Sequence, residues 1–218
     1  MLALFDLDNT LIDRLDAFRR WAAEFASERG LDEADVAWME ALDADGYCPR
    51  DTFLSGVRDR FGLAEPVEEL WRAYRVRLPF LVSCPDEVLS GLDRLRAAGW
   101  AVGIVTNGAA DSQTGKIRHS GLAGRVDGWA ISGAEGVSKP DRRLFEIGAG
   151  RCGAVLGDGG WMVGDNPDAD IAGGRAAGLG TVWIDRGLGG QCAADHVVTD
   201  AIAAIELLIR MNPDSQGR

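Results

Sequence analysis

Apolar residues in this chain fall into short continuous runs separated by longer stretches in which they recur every three or four positions. The runs at 2–5, 100–105, 129–131, 161–163 and 181–184 each stop at residues rich in Gly, Asp, Asn or Ser. Their length and continuity predict strands buried on both faces. Between them lie helical patterns. Residues 87–98 place Val88, Leu92 and Leu95 on one face and stop at Gly99, residues 168–177 run into Gly178, and residues 201–211 end ahead of Pro213. Strands alternating with helices predict a doubly wound parallel sheet, with ligand chemistry at the carboxyl ends of the strands.

The interval between the first two strands is too long for a simple crossover. It holds helical stretches at 17–29, 33–45, 50–61 and 67–77, broken by Gly30, Gly46, Pro49, Gly62 and Pro66, and no convincing strand. An insert of roughly 70 residues is large enough for a small core of its own. The expected organisation is therefore α/β: a Rossmann-like core from residues 1–13 and 86–218, with an α-helical cap domain from residues 14–85. Because the insert leaves just after the first strand, it is expected to act as a lid over the strand ends.

Composition narrows the partners. The 218 residues carry 34 acidic against 23 basic side chains, a net charge of -11. That balance argues against a nucleic-acid backbone or an anionic membrane as the main partner, and it requires a local reversal of potential for any anionic substrate. No apolar run approaches the ~20 residues of a membrane span, and Met1 leads straight into a strand pattern rather than a signal segment. A cytoplasmic location is expected. Cys48, Cys84, Cys152 and Cys192 form no CxxC pair, so free buried thiols are expected rather than a zinc site or a disulfide framework.

The polar residues ending the strands carry the candidate chemistry. Asp6 and Asp8 end the first; Thr106, Asn107 and Gly108 the second; Gly164, Asp165 and Asn166 the fourth; and Ser138, Lys139 and Pro140 precede the fourth. In a doubly wound sheet these converge on one crevice. Two carboxylates two residues apart on a plain strand point to one face and repel unless a cation lies between them. Mg²⁺, which takes few protein oxygens, suits that place, and Asp165 supplies a further carboxylate. The rival calcium loop fails: Leu11 stands where that loop needs Gly, and Ala17 where it needs Glu. With a phosphoryl oxygen held there, one carboxylate can attack phosphorus while the other serves as proton donor and acceptor. Lys139, Thr106 and the adjoining Asn107 would hold the remaining oxygens.

The motifs DLDNT, TNG, SKP and GDNPDAD, in that order and with a helical insert after the first, resemble those of the haloacid dehalogenase superfamily along the whole chain. The resemblance implies that Asp6 is the nucleophile and Asp8 the general acid and base. It implies that Thr106 and Lys139 bind phosphate, and that Asp6, Asp8 (through its carbonyl) and Asp165 ligate Mg²⁺. Asp170 is then a brace for Lys139 or the metal waters, supported by Asn166. The insert resembles the helical cap of one large branch of the family. Members that break carbon–halogen bonds carry an uncharged residue where this chain has Asp8, so a phosphatase acting on a small phosphorylated metabolite is expected. A phosphonate hydrolase would need a cap lysine, and residues 14–84 contain none. A sugar-phosphate mutase and a non-catalytic phosphate sensor share the same motifs and remain the alternatives.

Specificity is expected in the cap, at the break DADGYCPRD, where Arg50 could meet a second anionic group and Tyr47 could stack on the substrate. TGK at Thr114–Lys116 lacks the neighbours of a phosphate loop and is read as a helix-terminal loop. GDGG at 157–160 precedes a strand, whereas a dinucleotide fingerprint follows one. His119 and His196 have no catalytic partner at motif spacing, and the seven tryptophans are too dispersed for a stacking track.

Overall fold

The computed structural model describes residues 1–188 and 192–211. In chain order, β1 (Leu2–Phe5) is followed by α1 (Arg14–Arg29), α2 (Glu33–Asp43), α3 (Arg50–Phe61), α4 (Val67–Arg77) and α5 (Asp86–Ala97). Then come β2 (Ala101–Thr106), α6 (Ala110–His119), β3 (Gly128–Ile131), α7 (Ser132–Glu135), α8 (Arg142–Arg151) and β4 (Trp161–Gly164). A π-helical turn, Pro167–Ala172, runs into α9 (Gly173–Ala176), and β5 (Gly180–Ile184), β6 (His196–Val198) and α10 (Ala201–Met211) complete the described chain. Pro213, expected to stop the last helix, lies outside the described residues.

The chain divides into two compact units, Met1–Ile12 with Cys84–Arg218, and Asp13–Ser83. The first is a six-stranded parallel sheet in the order β3-β2-β1-β4-β5-β6 with surrounding helices. Its core joins Leu2, Leu4, Val105 and Met162 of the strands to Leu144, Phe145 and Ala149 of α8. Strand order reverses at β1, which pairs with β2 on one side and β4 on the other. The carboxyl ends of these three neighbours therefore face one switch-point crevice.

The second unit is helical. Phe18, Trp21, Phe25, Phe53 and Tyr74 form its aromatic core, with Trp21 edge-on to Tyr74 at 4.8 Å. The helix expected over 33–45 ends two residues early, because Ala44 and Asp45 turn left-handed (φ 48° and 55°). Asp43, at that end, is fully buried. It accepts hydrogen bonds from Arg14 Nη1 (2.8 Å) and Nη2 (2.7 Å), Arg50 Nη1 (2.6 Å) and the Gly46 amide (2.9 Å).

Elements β6, α6, α7 and α8 have no counterpart in the sequence pattern above. The stretch α8, RRLFEIGAGR, carries two glycines that weaken its helical signal, and tight packing on the sheet requires one of them: a Cβ on Gly148 would lie 2.5 Å from Val105. The expected helix over 168–177 is instead the π-helical turn followed by α9. The four cysteines are free thiols, but only Cys84 is buried, the other three being half-buried. Among the described residues no helix is long and apolar enough to cross a membrane.

Candidate active site

The sheet register builds the site. Phe5 pairs with Val163, and the next amide, that of Asp6, donates to Val163 O at 2.8 Å. Asp6, at the end of β1, thus stands beside Asp165, one residue past β4. Oxygens of Asp6, Asp165 and Asp170 lie within 4.8 Å of one another. Asp170 reaches this point from the π-helical turn, where its Oδ2 accepts from the Asn166 amide at 3.0 Å. Asn166 Oδ1 in turn caps the turn by accepting from the amides of Asp168 and Ala169. Gly164 makes the approach possible: a Cβ there would sit 2.2 Å from Asp170 Oδ2.

Lys139 lies between two of these acids. Its Nζ donates to Asp6 Oδ1 at 2.5 Å and to Asp170 Oδ1 at 2.6 Å, with only 5% of the residue exposed. Burial alone would lower the lysine, but Asp170 and then Asp6 outweigh it and hold the ammonium above the ordinary lysine range. Burial likewise pushes the Asp6 carboxyl well above the ordinary carboxylate range; Lys139 opposes this, while Asp170 and Asp165 add to it. A lysine held by two acids keeps its proton, so the penalty falls on ionised Asp6. A cation beside the carboxylates would relieve it, and a close set of hard oxygen donors suits a divalent ion of the Mg²⁺ type.

Asp8 has side-chain partners other than those of Asp6. After Leu7 the chain folds tightly, with Asn9 left-handed (φ 61°) and the amides of Leu11 and Ile12 donating back to Leu7 O. The Asp8 carboxylate consequently meets α6. Lys116 Nζ donates to its Oδ1 at 2.7 Å and its Oδ2 at 2.8 Å, and Gln113 Nε2 donates to Oδ2 at 2.9 Å. The repulsion expected from a plain strand is thereby relieved by two separate lysines, one for each acid. Gln113 Nε2 also lies 2.8 Å from Thr106 Oγ1, at the end of β2.

The reading of Thr114–Lys116 as a terminal loop is corrected: these residues lie inside α6, whose buried face is Ser112, Gln113, Lys116 and Ile117. That face is polar because it looks into the site, so it lacks the apolar stripe that marks a helix in sequence. One signal was available. Of the 23 basic residues only Lys116 and Lys139 are lysine, and both are buried here.

Other expected residues take more specific places. Thr106 is buried beside Gln113. The Asn107 side chain bonds the backbone of Lys139, accepting from its amide at 2.9 Å and donating to its carbonyl at 3.1 Å, and so braces the lysine loop. Arg186, not marked by the sequence, lies 3.6 Å from Asp165, whose carbonyl accepts from Trp183 Nε1 at 2.9 Å. In the helical unit, Arg50 pairs with Asp43 and lies over the rings of Phe53 and Tyr74, while Tyr47 is exposed.

Residues 1–178 match the model of the haloacid dehalogenase-like hydrolase family. Phosphoserine phosphatase of Thermus thermophilus is 37% identical over 154 residues, which span 69% of this chain and 60% of that protein. N-acylneuraminate-9-phosphatase of Mus musculus is 31% identical over 206 residues, covering 84% of this chain and 81% of that protein. In structure, the chain resembles the HAD-hydrolase YfnB of Bacillus subtilis, solved bound to magnesium, with a TM-score of 0.72 at 22% identity over 95% of this chain and 97% of that one.

Proposed function

The chain belongs to the haloacid dehalogenase-like hydrolase family, and from that premise we propose that it is a Mg²⁺-dependent phosphatase that transfers the phosphoryl group of a small phosphorylated metabolite to Asp6 and then to water. Its relatives are phosphatases of small phosphomonoesters: phosphoserine, N-acylneuraminate-9-phosphate and, in Pyrococcus furiosus, glyceraldehyde 3-phosphate. The observation that carries the reading is the buried Asp6 carboxylate, fixed by Lys139 beside the oxygens of Asp165 and Asp170.

In this reading Asp6, the Asp8 carbonyl and Asp165 hold the metal, with Asp170 and Asn166 as supports. Mg²⁺, when bound, supplies the positive charge that draws a phosphoryl oxygen toward the carboxylates. Four acids here, Asp6, Asp8, Asp165 and Asp170, meet three cations, Lys116, Lys139 and Arg186. A divalent ion turns that set from one net negative charge to one net positive, the local reversal that an acidic protein needs to admit a phosphate.

The residues then divide the work. An Asp6 oxygen attacks phosphorus as the bond to the leaving oxygen breaks, and Asp8 gives that oxygen its proton. A water then loses a proton to Asp8 as its oxygen bonds phosphorus, the bond to Asp6 breaks, and phosphate leaves with both acids restored. Lys139, Thr106 and the amides after β2 hold the other phosphoryl oxygens. An acid at position 8 suits a leaving group that must be protonated, which a departing halide does not require. Choice among phosphomonoesters is assigned to the helical unit, with Tyr47 and Arg50 as candidate contacts.

The test is Mg²⁺-dependent phosphate release across phosphorylated metabolites and one activated aryl phosphate, with Asp6→Asn beside the wild type. Release by the wild type that the variant and a chelator both abolish supports the reading. Phosphate and Mg²⁺ binding without turnover would overturn it.

A further inference from the structure

Helix α6 presents to the site two residues that the reaction above leaves without a task, Gln113 and Lys116. Three residues apart, they share one helical face, and both are almost fully buried, at 2% and 4% exposure. Lys116 grips both oxygens of the Asp8 carboxylate. Gln113 bridges Asp8 Oδ2 and Thr106 Oγ1, with the Asn107 carbonyl 3.3 Å away. A carboxylate and a carbonyl only accept, so the side of Gln113 facing them is its NH₂ group. Gly108 leaves room for it: a Cβ there would lie 2.9 Å from Gln113 Cγ.

Lysine use gives an independent argument. The chain places arginine at every basic position except 116 and 139. Lysine is a compact ammonium that fits among converging oxygens, whereas arginine is a wide planar fork. The one other lysine, Lys139, likewise sits among converging oxygens, one of Asp6 and one of Asp170. Two lysines, each clamped on one of the paired acids, mark position 116 as one where the ammonium itself is needed.

We propose that Lys116 and Gln113 are positioning residues that lock the Asp8 carboxylate and tie it to Thr106, so that the proton carrier and a phosphate-holding hydroxyl move as one unit. This inference rests on the phosphatase reading. Neither residue touches the reacting phosphorus; each acts through Asp8. Proton delivery matters most when an alkyl alkoxide leaves and least when nitrophenolate leaves. The damage from losing Lys116 should follow that order.

The experiment compares wild type, Lys116→Met, Lys116→Arg, Asp8→Asn and Asp8→Asn with Lys116→Met, all loaded with Mg²⁺. The alkyl substrate is the phosphorylated metabolite that the wild type turns over fastest in the release panel and the aryl one is 4-nitrophenyl phosphate, with the first-turnover burst of nitrophenolate recorded by stopped flow. Lys116→Met should lower kcat on the alkyl ester by about 100-fold, the scale of general acid–base catalysis, with KM nearly unchanged and the nitrophenolate burst largely kept. Lys116→Arg should not restore the alkyl rate. In the Asp8→Asn background, losing Lys116 should cost nothing further.

Equal loss of burst and alkyl turnover, together with a lowered melting temperature, would make Lys116 a merely structural residue and overturn the proposal. So would unchanged kinetics, or losses that multiply in the double variant. If the wild type releases no phosphate, or Asp6→Asn releases as much, the phosphatase reading itself has failed and takes this inference with it.

Discussion

Removing the carboxylate of Asp43 should strongly destabilise the helical unit while leaving the sheet intact. Asp43 is fully buried and bonded to Arg14, Arg50 and the Gly46 amide, and the Arg14 side chain is itself 7% exposed. Asp43→Ala would leave a buried guanidinium without its counter-charge, a change that costs about 3–5 kcal/mol. A unit spanning Asp13–Ser83 has about 4–10 kcal/mol of stability in all by the usual per-residue scale, so this one substitution consumes much of it. Taking the charges out together, as Arg14→Met with Asp43→Leu and Arg50→Met, should cost far less, because burying three charges is itself unfavourable. The assay is urea unfolding followed by tryptophan fluorescence, since Trp21, Trp38 and Trp71 report on this unit, with circular dichroism for the whole chain. A loss below about 1 kcal/mol in Asp43→Ala, or a triple variant worse than the single one, would refute the reasoning.

The same site sets an acid limit: burial works to raise Asp43, but the hydrogen bonds and charges of Arg14 and then Arg50 prevail and hold it below the ordinary 3.8. A depressed folded value contributes stability above the unfolded pKa and loses it as pH falls through the folded one, so fluorescence melts should show the helical unit weakening below about pH 4, and the triple variant should lack that step. Gly164→Ala forces a Cβ against Asp170; phosphate release should collapse, with about 1–3 kcal/mol lost in urea melts. Trp183→Phe removes the bond to the Asp165 carbonyl and should weaken Mg²⁺ binding by about tenfold in calorimetry, as losses in the shell behind a metal ligand do.

Five of the six strands were legible because buried parallel strands are short apolar runs that end in polar turns, as β1 and β4 do. The acids at those ends were legible by position, since Asp6 and Asp165 each follow a strand directly. Beyond β6, α7 and α8, what escaped was what the site had altered. Helix α6 turns a polar face inward, so hydrophobic periodicity missed it, and with it went Lys116 and Gln113. The pairing of Arg50 with Asp43 escaped because nothing local shows that the acid seven residues earlier is buried against it. The pairing of Arg14 with Asp43 spans 29 residues, a separation that only the packed helices bring together. Asn107 likewise has its partner 32 residues away.

Phosphoryl transfer through Asp6 leaves a covalent phosphoryl group on that residue. Enzyme mixed briefly with Mg²⁺ and a turned-over phosphomonoester, quenched in acid and reduced with borohydride, converts an acyl-phosphate aspartate to homoserine, which mass spectrometry locates in the tryptic peptide ending at Arg14. Homoserine is expected at position 6 and unmodified aspartate at position 8. Rapid phosphate release with no modification in that peptide, or with modification only at position 8, would contradict it.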